Sequence, residues 1–100
     1  MCLLMMHSDD ENRILSAITR LKDRLADLIE PDFQLLDRLL SLHVLTLRQL
    51  ADVRSQTTVY RRNDALLDRL TTEEQCVKFL KALKATGQEH IVNYITQNGG

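Results

Sequence analysis

Proline occurs once in this chain, glycine three times, and aromatic residues make up only 4% of it. With so few turn formers and aromatics, a sheet of short strands is disfavoured and helices are expected. Val, Ile and Tyr are also too scattered for alternating strand patterns. Two cysteines, Cys2 and Cys76, are too few for a disulfide framework, so a reducing, cytoplasmic setting is expected. Charge of one sign is lacking as well. A net charge of −1 offers no bulk attraction to nucleic acid or to a membrane, and neither is expected as a partner. The apolar opening, Met1 to Met6, is too short to span a bilayer and lacks the marks of a signal peptide.

Catalytic patterns are missing too. His7, His43 and His90 lie far apart with no partner at ligand spacing, and Cys76 has no companion in a C-x-x-C pattern. Cys76 falls on an apolar helix face, where burial raises a thiol pKa and suppresses nucleophilicity. There is no Gly-rich phosphate loop, no nucleophile elbow and no inward pair of carboxylates. No enzyme, metal site or cofactor is expected.

What the chain does have is helical periodicity at a length that suits one domain with its own core. Ser8 and Glu11 have capping-box spacing, and Ile14, Ile18, Leu21, Leu25 and Leu28 follow as one long apolar stripe. Pro31 closes that helix or opens a second, with Asp32 as a candidate N-cap and Phe33, Leu36, Leu39, Leu40 and His43 facing inward. Thr46 and Gln49 cap a short third helix with Leu47, Leu50 and Val53 inward. Thr72 and Gln75 cap a fifth, whose core face is Cys76, Phe79, Leu80 and Leu83, and Gly87 ends it. Ile91, Val92 and Ile95 mark a sixth. The expectation is an all-α, six-helix antiparallel bundle over residues 9–97, with tails at 1–8 and 98–100.

The stretch from Leu45 to Leu70 organises the rest. Its second helix puts Val59, Asn63, Leu66, Leu67 and Leu70 within roughly 100° of arc, a face for burial. Arg62 and Arg69 lie together about 100° away, with Arg61 beyond them. Arg13, Arg20 and Arg24 form a similar stripe on the first helix. Acidic residues gather elsewhere: Asp27, Glu30, Asp32 and Asp37 near the first junction, and Asp52 on the third helix. A helix-turn-helix nucleic-acid binder is the rival reading, from Leu45 to Ala51 and the Arg61–Arg62 pair. Against it, Thr57 stands where the turn usually has glycine, and Asp52, Asp64 and Asp68 repel phosphate. Opposite charges on one small domain instead suit head-to-tail association, which need not close.

The pattern resembles the caspase recruitment domain (CARD) of the death-fold superfamily, as found in initiator caspases and their adaptors. The likeness runs from Asn12 to Thr96 and rests on LLDRLLSLHVLT, on QTT with the arginine pair leading into LLDRL at 56–70, and on KFLKALKATGQEHIVNYI at 78–95. A death-effector domain fits less well, since Gln88 to Thr96 holds no arginine. The resemblance implies a Greek-key bundle and a partner that is another CARD, in a caspase, adaptor or receptor, with self-association into oligomers also possible. It further implies a basic surface of Arg13, Arg20, Arg24, Arg61, Arg62 and Arg69 against an acidic one of Asp27, Glu30, Asp32, Asp37 and Asp52. A kinked first helix is common in the family, yet no proline or glycine lies between Arg13 and Leu28 to locate one.

Overall fold

The computed structural model describes residues 12–32 and 34–98, and among them it contains seven α-helices and no strand. They are α1 (Arg13–Arg20), α2 (Lys22–Leu28), α3 (Leu35–Ser41), α4 (Leu47–Arg54), α5 (Val59–Asp68), α6 (Glu73–Ala85) and α7 (Glu89–Asn98). The count exceeds the expected six because the first helix is broken at Leu21 (φ −95°, ψ 8°). The Thr19 hydroxyl donates to the Leu15 carbonyl at 2.8 Å, a back-bond of the kind that bends helices. The two halves also bury their faces against different neighbours, α1 against α6 and α7, α2 against α5. The Ser8–Glu11 capping box and Phe33 lie outside the described residues.

Local caps set three of the helix starts. Thr46 with Gln49 and Thr72 with Gln75 form complete capping boxes, and Thr58 accepts from the Arg61 N–H at 3.1 Å. Two helices end in the same left-handed turn. After α6, Gly87 (φ +80°) donates to Lys84 O, and the Gln88 N–H donates to Leu83 O at 2.8 Å. After α3, His43 (φ +63°) takes the position usually held by glycine, and the Val44 N–H donates to Leu39 O at 2.9 Å. That turn directs His43 to solvent, not to the inward face expected for it.

The core is one cluster drawn from every helix, with Phe79 its largest fully buried side chain. Four other expectations need correction. Periodicity turns Leu47 and Val59 inward, but they are 71% and 42% exposed, each at the first position of its helix. Leu28 ends the apolar stripe yet is exposed at the last turn of α2. Asp32 does not cap α3, which starts at Leu35 behind a left-handed Gln34 with no side-chain cap bond.

Polar side chains from distant parts of the chain pin the broken first helix. The Glu73 carboxylate, at the start of α6, accepts from the Ile14 and Leu15 N–H groups at 3.0 and 2.8 Å, capping α1. Asn63 is fully buried and donates through Nδ2 to Ala26 O and Ile29 O, both at 2.8 Å, satisfying carbonyls at the end of α2. The buried Gln88 amide then clasps Glu30, accepting from its N–H at 2.8 Å and donating to its carbonyl at 3.0 Å. These bonds hold α1 and α2 at the angle the break creates.

Cys76 is buried, and desolvation, aided by the Glu73 charge, pushes its thiol up to about 11. In the unfolded chain the thiol ionises at lower pH, so the unfolded state loses its proton first. Stability from this group is therefore full below the unfolded pKa and falls as pH rises from about 9 toward about 11. Denaturant midpoints at about pH 8 and about pH 10.5 should show a smaller drop for Cys76→Ala than for the wild type. Equal drops would mean that Cys76 makes no contribution.

Candidate interaction surfaces

Helix α5 carries different chemistry on its two flanks. Arg62 and Arg69 stand on one flank, and Tyr60, Asp64 and Asp68 on the other, with Arg61 outermost between them. The arginine flank faces the acidic residues of the same molecule. Arg62 donates through Nη1 to Asp32 Oδ2 at 2.8 Å and through Nε to Gln56 O at 3.1 Å. Arg69 lies 3.5 Å from Asp52, while its own Nε is buried without a partner. Arg54 adds a third bridge, to Asp37 at 2.7 Å. Five of the candidate residues, Arg62, Arg69, Asp32, Asp37 and Asp52, are thus engaged inside one molecule.

The remaining candidates are more open. Arg13 and Arg24 are exposed on α1 and α2 and have no ion-pair partner among the described residues, and the same holds for Arg61 on α5. Arg20 is also exposed, on the α1 side of the break. Asp27 and Glu30 are exposed near the end of α2, Glu30 held through its backbone by Gln88. The structure therefore brings Arg62 and Arg69 to Asp32 and Asp52, and leaves Arg13, Arg24 and Arg61 without an ion pair among the described residues.

The other flank of α5 meets α2 along an acidic seam that periodicity did not reveal. Lys22 bridges Asp64, at 3.3 Å, and Asp68. The hydrogen bond to Asp68 holds its ammonium above the usual lysine range. Tyr60 is half exposed, its hydroxyl 3.5 Å from Asp23, and the charge of Asp23, with those of Asp64 and Asp27, raises its pKa. Asp64 and Asp68 are four residues apart, as are Asp23 and Asp27, so a signal was present in the spacing. What spacing alone lacked was the packing of α2 on α5 that faces the two pairs toward each other.

Among the described residues, no group of His, Cys, Asp and Glu could hold a metal ion, and no helix is long and apolar enough to cross a membrane. Neither the curated proteins nor the solved structures gave a significant match to this chain. The family model for the caspase recruitment domain matches residues 15–98, covering every helix from α2 to α7 and all but the first two residues of α1. The chain belongs to the caspase recruitment domain family, whose members are non-catalytic modules for homotypic protein interaction in apoptotic and inflammatory signalling.

Proposed function

We propose that this domain binds another CARD, in a caspase, adaptor or receptor, through complementary charged surfaces, and so helps assemble an apoptotic or inflammatory signalling complex in the cytoplasm. The observation that carries this reading is the family match over residues 15–98. The basic side is Arg13, Arg20, Arg24 and Arg61, reinforced by Arg62 and Arg69. The acidic side is Asp27 and Glu30, reinforced by Asp32, Asp37 and Asp52. The reinforcing residues must exchange an internal ion pair for an external one. Exposed pairs of this kind are worth about 0–1 kcal/mol each, so the exchange is nearly neutral and gains come from many contacts at once. A nucleic-acid role has little support, because Arg62 and Arg69 already meet Asp32 and Asp52.

Light scattering of the purified domain over a concentration series, at low and high salt, tests the charge-paired contact. Oligomers that grow with concentration and shrink with salt are expected. Arg24→Glu should reduce that growth without changing helicity or melting, since Arg24 is exposed and makes no ion pair among the described residues. Arg62→Glu should lower both association and stability, because it sets a carboxylate against Asp32 and removes the bond to Gln56. A strict monomer under all conditions would overturn self-assembly and leave a one-sided module that needs a separate CARD. Growth unchanged by Arg24→Glu would remove Arg24 from the contact.

A further inference from the structure

Among the described residues the outer face of α6 has no partner, and it has no part in the surfaces above. Cys76, Phe79, Ala82 and Leu83 turn inward, while Val77, Lys81 and Lys84 share an arc of roughly 60° on the opposite side. Val77 is 36% exposed, large for an aliphatic side chain in the middle of a helix. Lys78, at the edge of this arc, is held by Glu74 at 3.4 Å, whereas Lys81 and Lys84 have no ion-pair partner among the described residues. The face is an apolar spot flanked by two cations.

Its complement lies on the same molecule, where α2 packs on α5. Beside the α2–α5 seam, the outer face of α5 carries an open groove of about 500 Å³ lined by Gln56, Tyr60, Arg61, Asp64, Ala65 and Asp68. Two carboxylates there share the single ammonium of Lys22. Asp23 and Asp27, facing them from α2, have no ion-pair partner among the described residues. Arg61 on the outer rim offsets only part of this excess. The seam is an aromatic floor with surplus negative charge.

We propose that the α6 face of one copy of this chain, Val77 with Lys81 and Lys84, docks in the α5 groove beside the acidic α2–α5 seam of a second copy. The spacing suits it: Lys81 and Lys84 are about 4.5 Å apart along their helix axis, and Asp64 and Asp68 about 6 Å along theirs. Tyr60, one turn before Asp64, gives Val77 a flat surface and a lysine a π-face. Because a helix face meets a groove, the contact is heterologous and each copy offers both halves. Of the residues in the charged contact proposed above it shares only Arg61 and Asp27, and none of the substitutions below alters either, so the two contacts are tested separately. Together they would let a copy bind neighbours in two directions.

Charge reversal on the full 100-residue chain, read by sedimentation and light scattering, tests this. Lys81→Glu/Lys84→Glu makes both halves acidic, and Asp64→Lys/Asp68→Lys makes both basic. Each variant alone should raise the concentration needed for association about tenfold or more, since like charges then face each other. Mixed in equal amounts, the two should associate again, because each supplies what the other lacks. Tyr60→Ala, which leaves Lys22 and its carboxylates in place, should also weaken association and covers the case in which the double aspartate variant fails to fold. A wild-type chain that never associates, or lysine variants that associate as the wild type does, would overturn the proposal. Loss in both variants without recovery on mixing, with helicity intact, would equally overturn it and point the lysines toward an acidic partner of another kind.

Discussion

Phe79→Ala is expected to lose about 3–5 kcal/mol of folding stability, the range for removing a large buried aromatic. Phe79 is fully buried and is the largest such side chain in the core. It sits on α6, which packs against α1, α3 and α7 at once. The walls of the resulting cavity belong to separate helices, and α1 is further tied by the Glu73 cap, so collapse into the space is resisted. Domains of this size hold about 5–15 kcal/mol in total, so the loss is a large share of the whole. In urea the midpoint should fall with an unchanged slope, which separates lost stability from a changed unfolded state. A loss below about 1 kcal/mol would show that neighbouring side chains fill the space, and would remove α6 as the central post of the bundle.

How much of this arrangement is legible in the sequence depends on how far apart the interacting residues stand. The capping boxes at Thr46 and Thr72 and the turn at Gly87 involve neighbours in sequence, and the structure holds all three where the spacing puts them. His43 makes the same turn as Gly87 but carries no glycine signature, so periodicity assigns it inward. Leu47 and Val59 depart from their expected burial for a related reason. Periodicity fixes an angle around an axis but not whether anything lies opposite, and these two side chains are left exposed. The break at Leu21 has no proline or glycine to announce it, and its causes are a hydroxyl back-bond and two different sets of neighbours.

The charged surfaces show the same limit more sharply. The arcs holding Arg62 with Arg69, and Asp64 with Asp68, follow from the sequence. Their partners do not: Asp32 lies thirty residues before Arg62, and Lys22 lies forty-six before Asp68. Patches that look segregated along the chain are therefore interleaved in space. The exposed cations with no ion pair among the described residues, Arg13, Arg24, Arg38, Arg48, Arg61, Lys81 and Lys84, are the ones best placed to recognise another molecule.

Asn63→Asp should be as damaging as any core truncation although it changes only an amide to a carboxylate. Asn63 is fully buried, and its Nδ2 carries both bonds that close the end of α2. Its Oδ1 has no partner, so the site supplies acceptors on one side and nothing to stabilise an anion on the other. The ionised carboxylate of the variant would point negative charge at the Ala26 and Ile29 carbonyls, adding repulsion to the loss of both donors. An uncompensated buried charge of this kind costs about 3–5 kcal/mol. The environment raises the carboxyl pKa in the folded state above the usual value of about 3.9. The penalty is therefore present at neutral pH and shrinks as pH falls through the folded pKa, where a protonated carboxyl can donate to one carbonyl again. Asn63→Ala, which removes the donors without adding charge, should cost about 1–3 kcal/mol and show no such recovery. Measuring both variants against the wild type at neutral pH and near pH 4 separates the contributions. If Asn63→Asp shows the same deficit at both values, the site is solvated and Asn63 is not the buried clasp between α5 and α2.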